Sequence, residues 1–272
     1  MRDCARVYNV QIGAAVKARL LQNDARYAQA VSSRFTSLTP ENGMKFGPLC
    51  PARGQYTFDD ADTIVDFAAS HGMQVRGHTL VWHNQLPGWL TGGDWSREEL
   101  MTVLHDHIHT VVGRYRGRVM AWDVVNEAIA DDGSLRDTIW LRVIGPEYIE
   151  LAFRWAHEAD PNALLFYNDY GAEGDAVYRL VADLVQRGVP IHGVGLQMHA
   201  SLDWCPEPPS VGANIDRLST LGLQVHITEM DVRIPEPTTQ QKLEAQAKIY
   251  QDMLRVCLSK RSCTAFVLWG VA

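Results

Sequence analysis

Two acidic residues carry the first functional signal in this chain. Trp122-Asp123-Val124-Val125-Asn126-Glu127 is a short apolar run that ends on an amide and an acid. Val225-His226-Ile227-Thr228-Glu229-Met230-Asp231 is a second run that ends in acids. The first is bounded by Gly117 and by Asp131-Asp132-Gly133, and reads as a parallel strand covered on both faces. The C-terminal mouth of such a strand is where α/β barrels put their chemistry. Glu127 and Glu229 are therefore expected to face each other across a cleft.

The ends of the other candidate strands are polar too. They offer Thr39 to Phe46, with Glu41, Asn42 and Lys45. Next comes Arg76 to Gln85, with His78, Trp82, His83 and Gln85. Tyr167-Asn168-Asp169-Tyr170, Gln197-Met198-His199 and Trp269 complete the set. Residues two apart on a strand share a face, so Gln197 points with His199 and Glu229 with Asp231. A histidine between two carboxylates can orient one of them and hold it ionised. Two acids, aromatic walls and many neutral hydrogen-bonding groups suit cleavage of a sugar polymer. One acid stays protonated to release the leaving oxygen, and the other stays ionised to attack the anomeric carbon. His78, His83 and His199 are also metal-ligand types. With no H-x-H on the first strand and no H-E-x-x-H helix, no metal and no other cofactor is expected. His105, His107 and His109 alternate along a helix, a spacing expected to spread them around it among solvent or satisfied partners.

Eight strands would have to position these residues: Gln11–Val16, Thr36–Leu38, Gln74–Val81, Met120–Asn126, Ala163–Asn168, Gly193–Met198, Gln224–Glu229 and Thr264–Trp269. Amphipathic stretches fill the gaps. Asp59 to Ser70 has Ala61, Ile64, Val65 and Ala68 on one face and stops at Gly72. Ser96 and Glu99 form a capping box ahead of Leu100, Val103, Leu104, Val111 and Tyr115. Pro146 is expected to open a helix, and Val177, Leu180, Val181, Leu184 and Val185 line another. Thr238 and Gln241 read as a second capping box, ahead of Leu243, Tyr250, Met253, Leu254 and Cys257. The alternation implies a single (β/α)8 barrel domain over residues 1–272. Its final helix is missing, because the chain stops directly after the eighth strand. An exposed apolar patch, a partner or a shortened chain is expected on that flank.

Composition agrees with this class. The 272 residues are 46% hydrophobic and 21% charged, typical of one globular domain. A net charge of −7 disfavours a nucleic-acid groove, and no apolar run is long enough for a membrane span. A monomer is expected. The eight tryptophans are an enrichment that a ligand cleft would use as flat platforms. The five cysteines have no zinc spacing. Cys257 and Cys263 are close enough for a disulfide, with two buried thiols the equal alternative. The chain does not begin with a signal segment. Either one was removed, leaving a secreted domain, or none existed and the protein is cytoplasmic. The secreted reading is preferred.

Taken together, Ile12 to Val16, Thr39 to Phe46, Arg76 to Trp89, Trp122 to Ala128, Asn168 to Tyr170, Gly193 to His199, Ile227 to Val232 and Leu268 to Gly270 resemble glycoside hydrolase family 10, the endo-β-1,4-xylanases. The pieces run in family order over essentially the whole chain. The resemblance implies retaining double displacement on xylan and xylo-oligosaccharides, with Glu127 as acid/base and Glu229 as nucleophile about 5–5.5 Å apart. It implies that Asn126 binds the 2-hydroxyl of the reacting sugar. His199 and Asp231 would position Glu229, and Gln197 would lie beside Glu127. Glu41, Asn42, Lys45, His78, Trp82, His83 and Gln85 would be donor-side sugar contacts, Trp269 a lid over them, and Tyr170 a leaving-group contact. A non-proline cis peptide at His78-Thr79 is implied as well. The family pattern normally continues with another cleft tryptophan and a last helix, which this chain lacks. The rival readings are a cellulase-like preference, a non-hydrolytic xylan-binding barrel and a metal-dependent hydrolase.

Overall fold

A computed structural model describes residues 7–271. Its strands are β1 (Gln11–Val16), β2 (Ser37–Pro40), β3 (Gln74–Val81), β4 (Ala121–Asn126), β5 (Leu164–Asp169), β6 (Gly193–Leu196), β7 (His199–Ser201), β8 (Gln224–Arg233) and β9 (Cys263–Leu268). All pairings between them are parallel. The order β6-β5-β4-β3-β2-β1-β9-β8 closes on itself through β6 and β8, giving an eight-stranded barrel. The eight main helices are α1 (Ala18–Asn23), α2 (Ala25–Arg34), α3 (Asp59–Ser70), α4 (Arg97–Arg114), α5 (Tyr148–Ala159), α6 (Asp175–Gln186), α7 (Pro208–Thr220) and α8 (Gln240–Leu258). They connect successive strands in the (β/α)8 pattern.

The ninth strand is a fragment of the sixth. Met198 has φ +64°, a left-handed conformation that ends β6 after Leu196 and restarts the chain as β7. β7 then pairs with an extension of β8, His199 opposite Asp231 and Ser201 opposite Arg233. The expected uninterrupted strand to Met198, and the end of the seventh strand at Glu229, are both corrected by this break. β1 and β3 have the expected bounds, and those of β2, β4, β5 and β9 differ from expectation by a residue or two.

Local signals explain most of the helices. Ser96 caps α4, accepting from the Glu99 N–H at 3.2 Å while the Glu99 carboxylate accepts from Ser96 N–H at 3.0 Å. α3 buries Ala61, Ile64, Val65 and Ala68, the predicted face. Two expected starts are displaced. α5 begins at Tyr148 with Glu147 as its cap, so Pro146 lies in the preceding turn. α8 is capped by Thr239, which accepts from Lys242 N–H at 3.3 Å; Thr238 is drawn into the turn before it by the Glu236 carboxylate at 3.0 Å. Two adjacent threonines offer the same cap, and the sequence could not rank them.

The barrel interior is not purely apolar. Arg76 and Asp123 are both at most 2% exposed and form a two-point ion pair. Arg76 also meets His226 Nδ1 at 2.6 Å, and Asp123 meets His78 Nδ1 at 3.0 Å. Burial and the neighbouring guanidinium hold His226 well below its usual range, so it is neutral. Gly77 makes room for the packing around this network: a Cβ there would stand 2.1 Å from the Trp122 ring.

The Cys257–Cys263 disulfide is formed, joining the end of α8 to the start of β9. Cys50 and Cys205 are free, and Cys4 lies outside the described residues. Among the described residues no helix follows β9. An open groove of about 480 Å³ lies beside its end, lined by Met230, Tyr250, Leu268, Trp269 and Val271. No helix of the described residues is long and apolar enough to cross a membrane.

Candidate active site

The strand ends bring the two acids into one polar network. Asn126 Oδ1 is its hub. It accepts from Asn168 Nδ2 at 2.8 Å and from Gln197 Nε2 at 3.2 Å. Asn168 Nδ2 also donates to Glu229 Oε1 at 2.7 Å, and Gln197 Nε2 donates to Glu127 Oε1 at 2.9 Å. Each carboxylate is thus one amide away from the same oxygen. Asn126 Nδ2 closes the circuit by donating to Glu127 at 3.2 Å.

Each acid is also oriented from outside the hub. Trp82 Nε1–H donates to Glu127 Oε2 at 2.9 Å, and the Trp82 carbonyl is pinned by Trp140 Nε1–H at 2.9 Å. Glu127 has φ +55°, a conformation uncommon for a non-glycine residue and concentrated at functional sites. Arg136 donates to the Glu127 carbonyl at 2.9 Å, bracing that turn. His199 stands between two acids, with Nε2 3.3 Å from Glu229 and Nδ1 3.0 Å from Asp231. Burial opposes a charge on His199, but the hydrogen bonds to Asp231 and Glu229 outweigh it and raise its pKa to about 10. His199 is therefore an imidazolium at neutral pH, and a fixed positive charge lies against Glu229.

One flank of the cleft collects the residues of β2, β3 and the loops after them. Lys45 Nζ lies over the Trp82 ring at 4.8 Å and donates to Asn42 Oδ1 at 3.0 Å; Gln85 reaches the same oxygen at 3.2 Å. Burial lowers the pKa of Lys45, while Glu229, Glu41 and Glu127 pull it back up. Glu41 pairs with Lys17 at 3.4 Å. His83 lies 3.9 Å from Glu127; burial holds its pKa down against that acid. His78 is only 2% exposed, its Nδ1 held by Asp123. Its ring meets Trp269 edge-on at 5.3 Å, and Trp269 also flanks His199. The His78-Thr79 peptide is cis. Tyr170 accepts from Arg136 at 2.6 Å and donates to Asp131.

Several participants escaped the sequence reading. Asn168 sits in a recognised polar strand end, yet only the fold shows it bonded to both Asn126 and Glu229. Its side chain needs Gly195, where a Cβ would stand 2.1 Å from Asn168 Oδ1. Arg136 and Lys17 carry no motif signal, and Tyr167, though in a recognised strand end, had no role assigned. Tyr167 Oη accepts from Ala128 N–H at 2.9 Å and donates to Asp169 at 2.5 Å, supporting the turn after Glu127 from below. Trp204, 61% exposed, lines a groove of about 530 Å³ with His199, Ser201, Asp231 and Arg233. The helical histidines also differ from expectation. His107 alone is buried against the barrel, whereas His105 and His109 share one face with ring centroids 4.2 Å apart. A four-residue step is close to one helical turn, which aligns them.

Comparison with known proteins adds an independent line. The family model for glycosyl hydrolase family 10 matches residues 1–272. Endo-1,4-beta-xylanase B of Thermotoga neapolitana is 45% identical over 99% of this chain and 80% of its own length. Endo-1,4-beta-xylanase B of Paenibacillus barcinonensis is 44% identical over 96% of this chain and 84% of its own. The crystal structure of xylanase 10B from Thermotoga petrophila RKU-1, in complex with xylobiose, superposes with a TM-score of 0.96 at 45% identity. It covers 99% of this chain and 84% of the solved one.

Proposed function

The chain belongs to glycoside hydrolase family 10 and is an endo-1,4-β-xylanase, and from that premise we propose that it cleaves internal bonds of xylan by retaining double displacement. Glu229 attacks the anomeric carbon while Glu127 protonates the departing oxygen. Glu127 then takes a proton from water, which releases the sugar from Glu229 with its configuration kept. The observation that carries this reading is the pair of acids one amide each from Asn126 Oδ1. That bracing favours a short separation, with about 5–5.5 Å expected between the carboxyl groups in the substrate complex.

The surrounding groups divide the work. The His199 imidazolium stands as the counter-charge to the Glu229 carboxylate before attack, and Asp231 holds that ring in place. Asn126 accepts or donates a hydrogen bond at the 2-hydroxyl of the reacting xylose, a contact that strengthens in the transition state. Glu41, Asn42, Lys45, His78, His83 and Gln85 bind the donor-side sugars over Trp82 and under Trp269, and Tyr170 meets the leaving side. The barrel acts as a monomer. The Cys257–Cys263 disulfide supports a location in an oxidising, extracellular compartment.

Glu127→Gln tests the roles directly. Turnover on xylan is expected to fall by about 10²–10⁴-fold, the range for losing a general acid/base. An aryl xyloside with a good leaving group needs no acid for the first step, so it should still release phenol in a burst. Undiminished xylan hydrolysis by this variant would remove Glu127 from the mechanism.

A further inference from the structure

Two barrel helices carry a group of side chains that the glycosidase chemistry does not use. His105 and His109 lie one turn apart on α4, and Glu158 projects from the last turn of α5. One ligand atom from each lies within 4.8 Å of the other two. We propose that His105, His109 and Glu158 bind one first-row transition-metal dication, of which zinc is the type, and that the ion ties α4 to α5.

The donor set fits this chemistry. Two imidazoles and a carboxylate suit zinc, nickel or copper far better than magnesium or calcium, which prefer all-oxygen shells. His109 Nε2 lies 3.6 Å from the Glu158 carboxylate; it is shielded from solvent and makes no hydrogen bond. That contact is too long for a hydrogen bond, and a metal bond would satisfy the buried nitrogen. His105 is already set for ligation. Asp106 stands 3.0 Å from its Nδ1, the carboxylate contact that turns the opposite nitrogen outward as a ligand. The Trp155 ring meets His105 edge-on at 5.3 Å and walls one side.

Zinc holds nitrogen and oxygen donors at about 2.0–2.2 Å, so tetrahedral donors lie roughly 3.3 Å from one another. The present spacing is wider, 3.6 Å between His109 and Glu158 and up to 4.8 Å across the group. Small side-chain rotations close it, and the exposure of His105 (41%) and Glu158 (60%) leaves room for them. Three protein ligands leave a fourth position for water. α5 packs on α4 and on β4, the strand that leads to Glu127, so the ion would brace the wall behind one catalytic acid.

Titration of the chelator-stripped protein with zinc chloride, read by calorimetry, tests the site. One ion per chain at micromolar affinity is expected. His105→Ala and His109→Ala should each weaken binding by at least about tenfold, and Glu158→Gln should weaken it several-fold. These residues lie outside the cleft, so xylan hydrolysis by the variants should match the unaltered protein and report that they fold. The thermal midpoint should rise with zinc in the unaltered protein and not in His105→Ala/His109→Ala. Absence of uptake at about 1 mM zinc, or uptake that survives the double substitution, overturns the proposal. Unchanged affinity in Glu158→Gln overturns the bridge between helices.

Discussion

The proposed chemistry depends on charges held in fixed places, and His199 is the clearest case. Its ring is clamped by Asp231 and Glu229, and its pKa is raised to about 10. A raised value means that the proton is kept through neutral pH and lost as pH climbs through the folded-state value. Asp231→Asn removes one of the two carboxylates responsible. The alkaline limb of kcat/KM on xylo-oligosaccharides should then move down by about one pH unit or more, because the ring gives up its proton sooner. An alkaline limb that stays in place would show that the His199 charge does not govern the reaction. Asn168 illustrates the neutral counterpart. It carries no charge, yet it fixes Asn126 and Glu229 together, so its loss would loosen the pair.

At the scale of elements, α4 combines an ordinary cap with an unusual buried residue. His107 packs with Leu100, Leu104, Ile108, Val111 and Val112 on the inner face and stacks on Phe46 at 3.7 Å. Complete burial pushes its pKa down to about 3 from 6.5. Between those values the unfolded chain binds a proton that the folded one refuses, so stability falls as pH drops through that window. The slope contributed is at most about 1.4 kcal/mol per pH unit. His107→Phe keeps the stack on Phe46 and removes the titration. Urea unfolding from pH 7 to pH 4 should show a flatter acid loss in the variant, and equal slopes would contradict the assignment.

For the whole molecule, the last described strand is held to the barrel by β1, β8 and the Cys257–Cys263 bridge. The bridge closes a short loop, so its effect on the unfolded chain is modest, about 2 kcal/mol. Replacing both cysteines by serine should lower the thermal midpoint by several degrees without changing kcat on xylan. A large loss of activity instead would mean that β9 and Trp269 need the bridge to stay seated.

Legible in the sequence are the eight strands that close the barrel, the (β/α)8 class and the strand ends that carry Glu127 and Glu229, because these are short-range patterns. An apolar run that ends in an amide and an acid keeps its meaning wherever the chain goes. The buried face of α3 and the Ser96 cap were legible for the same reason, whereas on α8 the expected apolar face fails at Leu243, which is 43% exposed. Tertiary structure decided the rest. The break at Met198, the hub at Asn126 and the role of Gly195 depend on which strands become neighbours when the barrel closes. Arg136 braces Glu127 from a place no motif marks. The same holds on α4, where alternation suggested three dispersed histidines. Burial against Phe46 claimed His107, and the helical turn set His105 beside His109, facing a glutamate that only the packing of α5 could bring there.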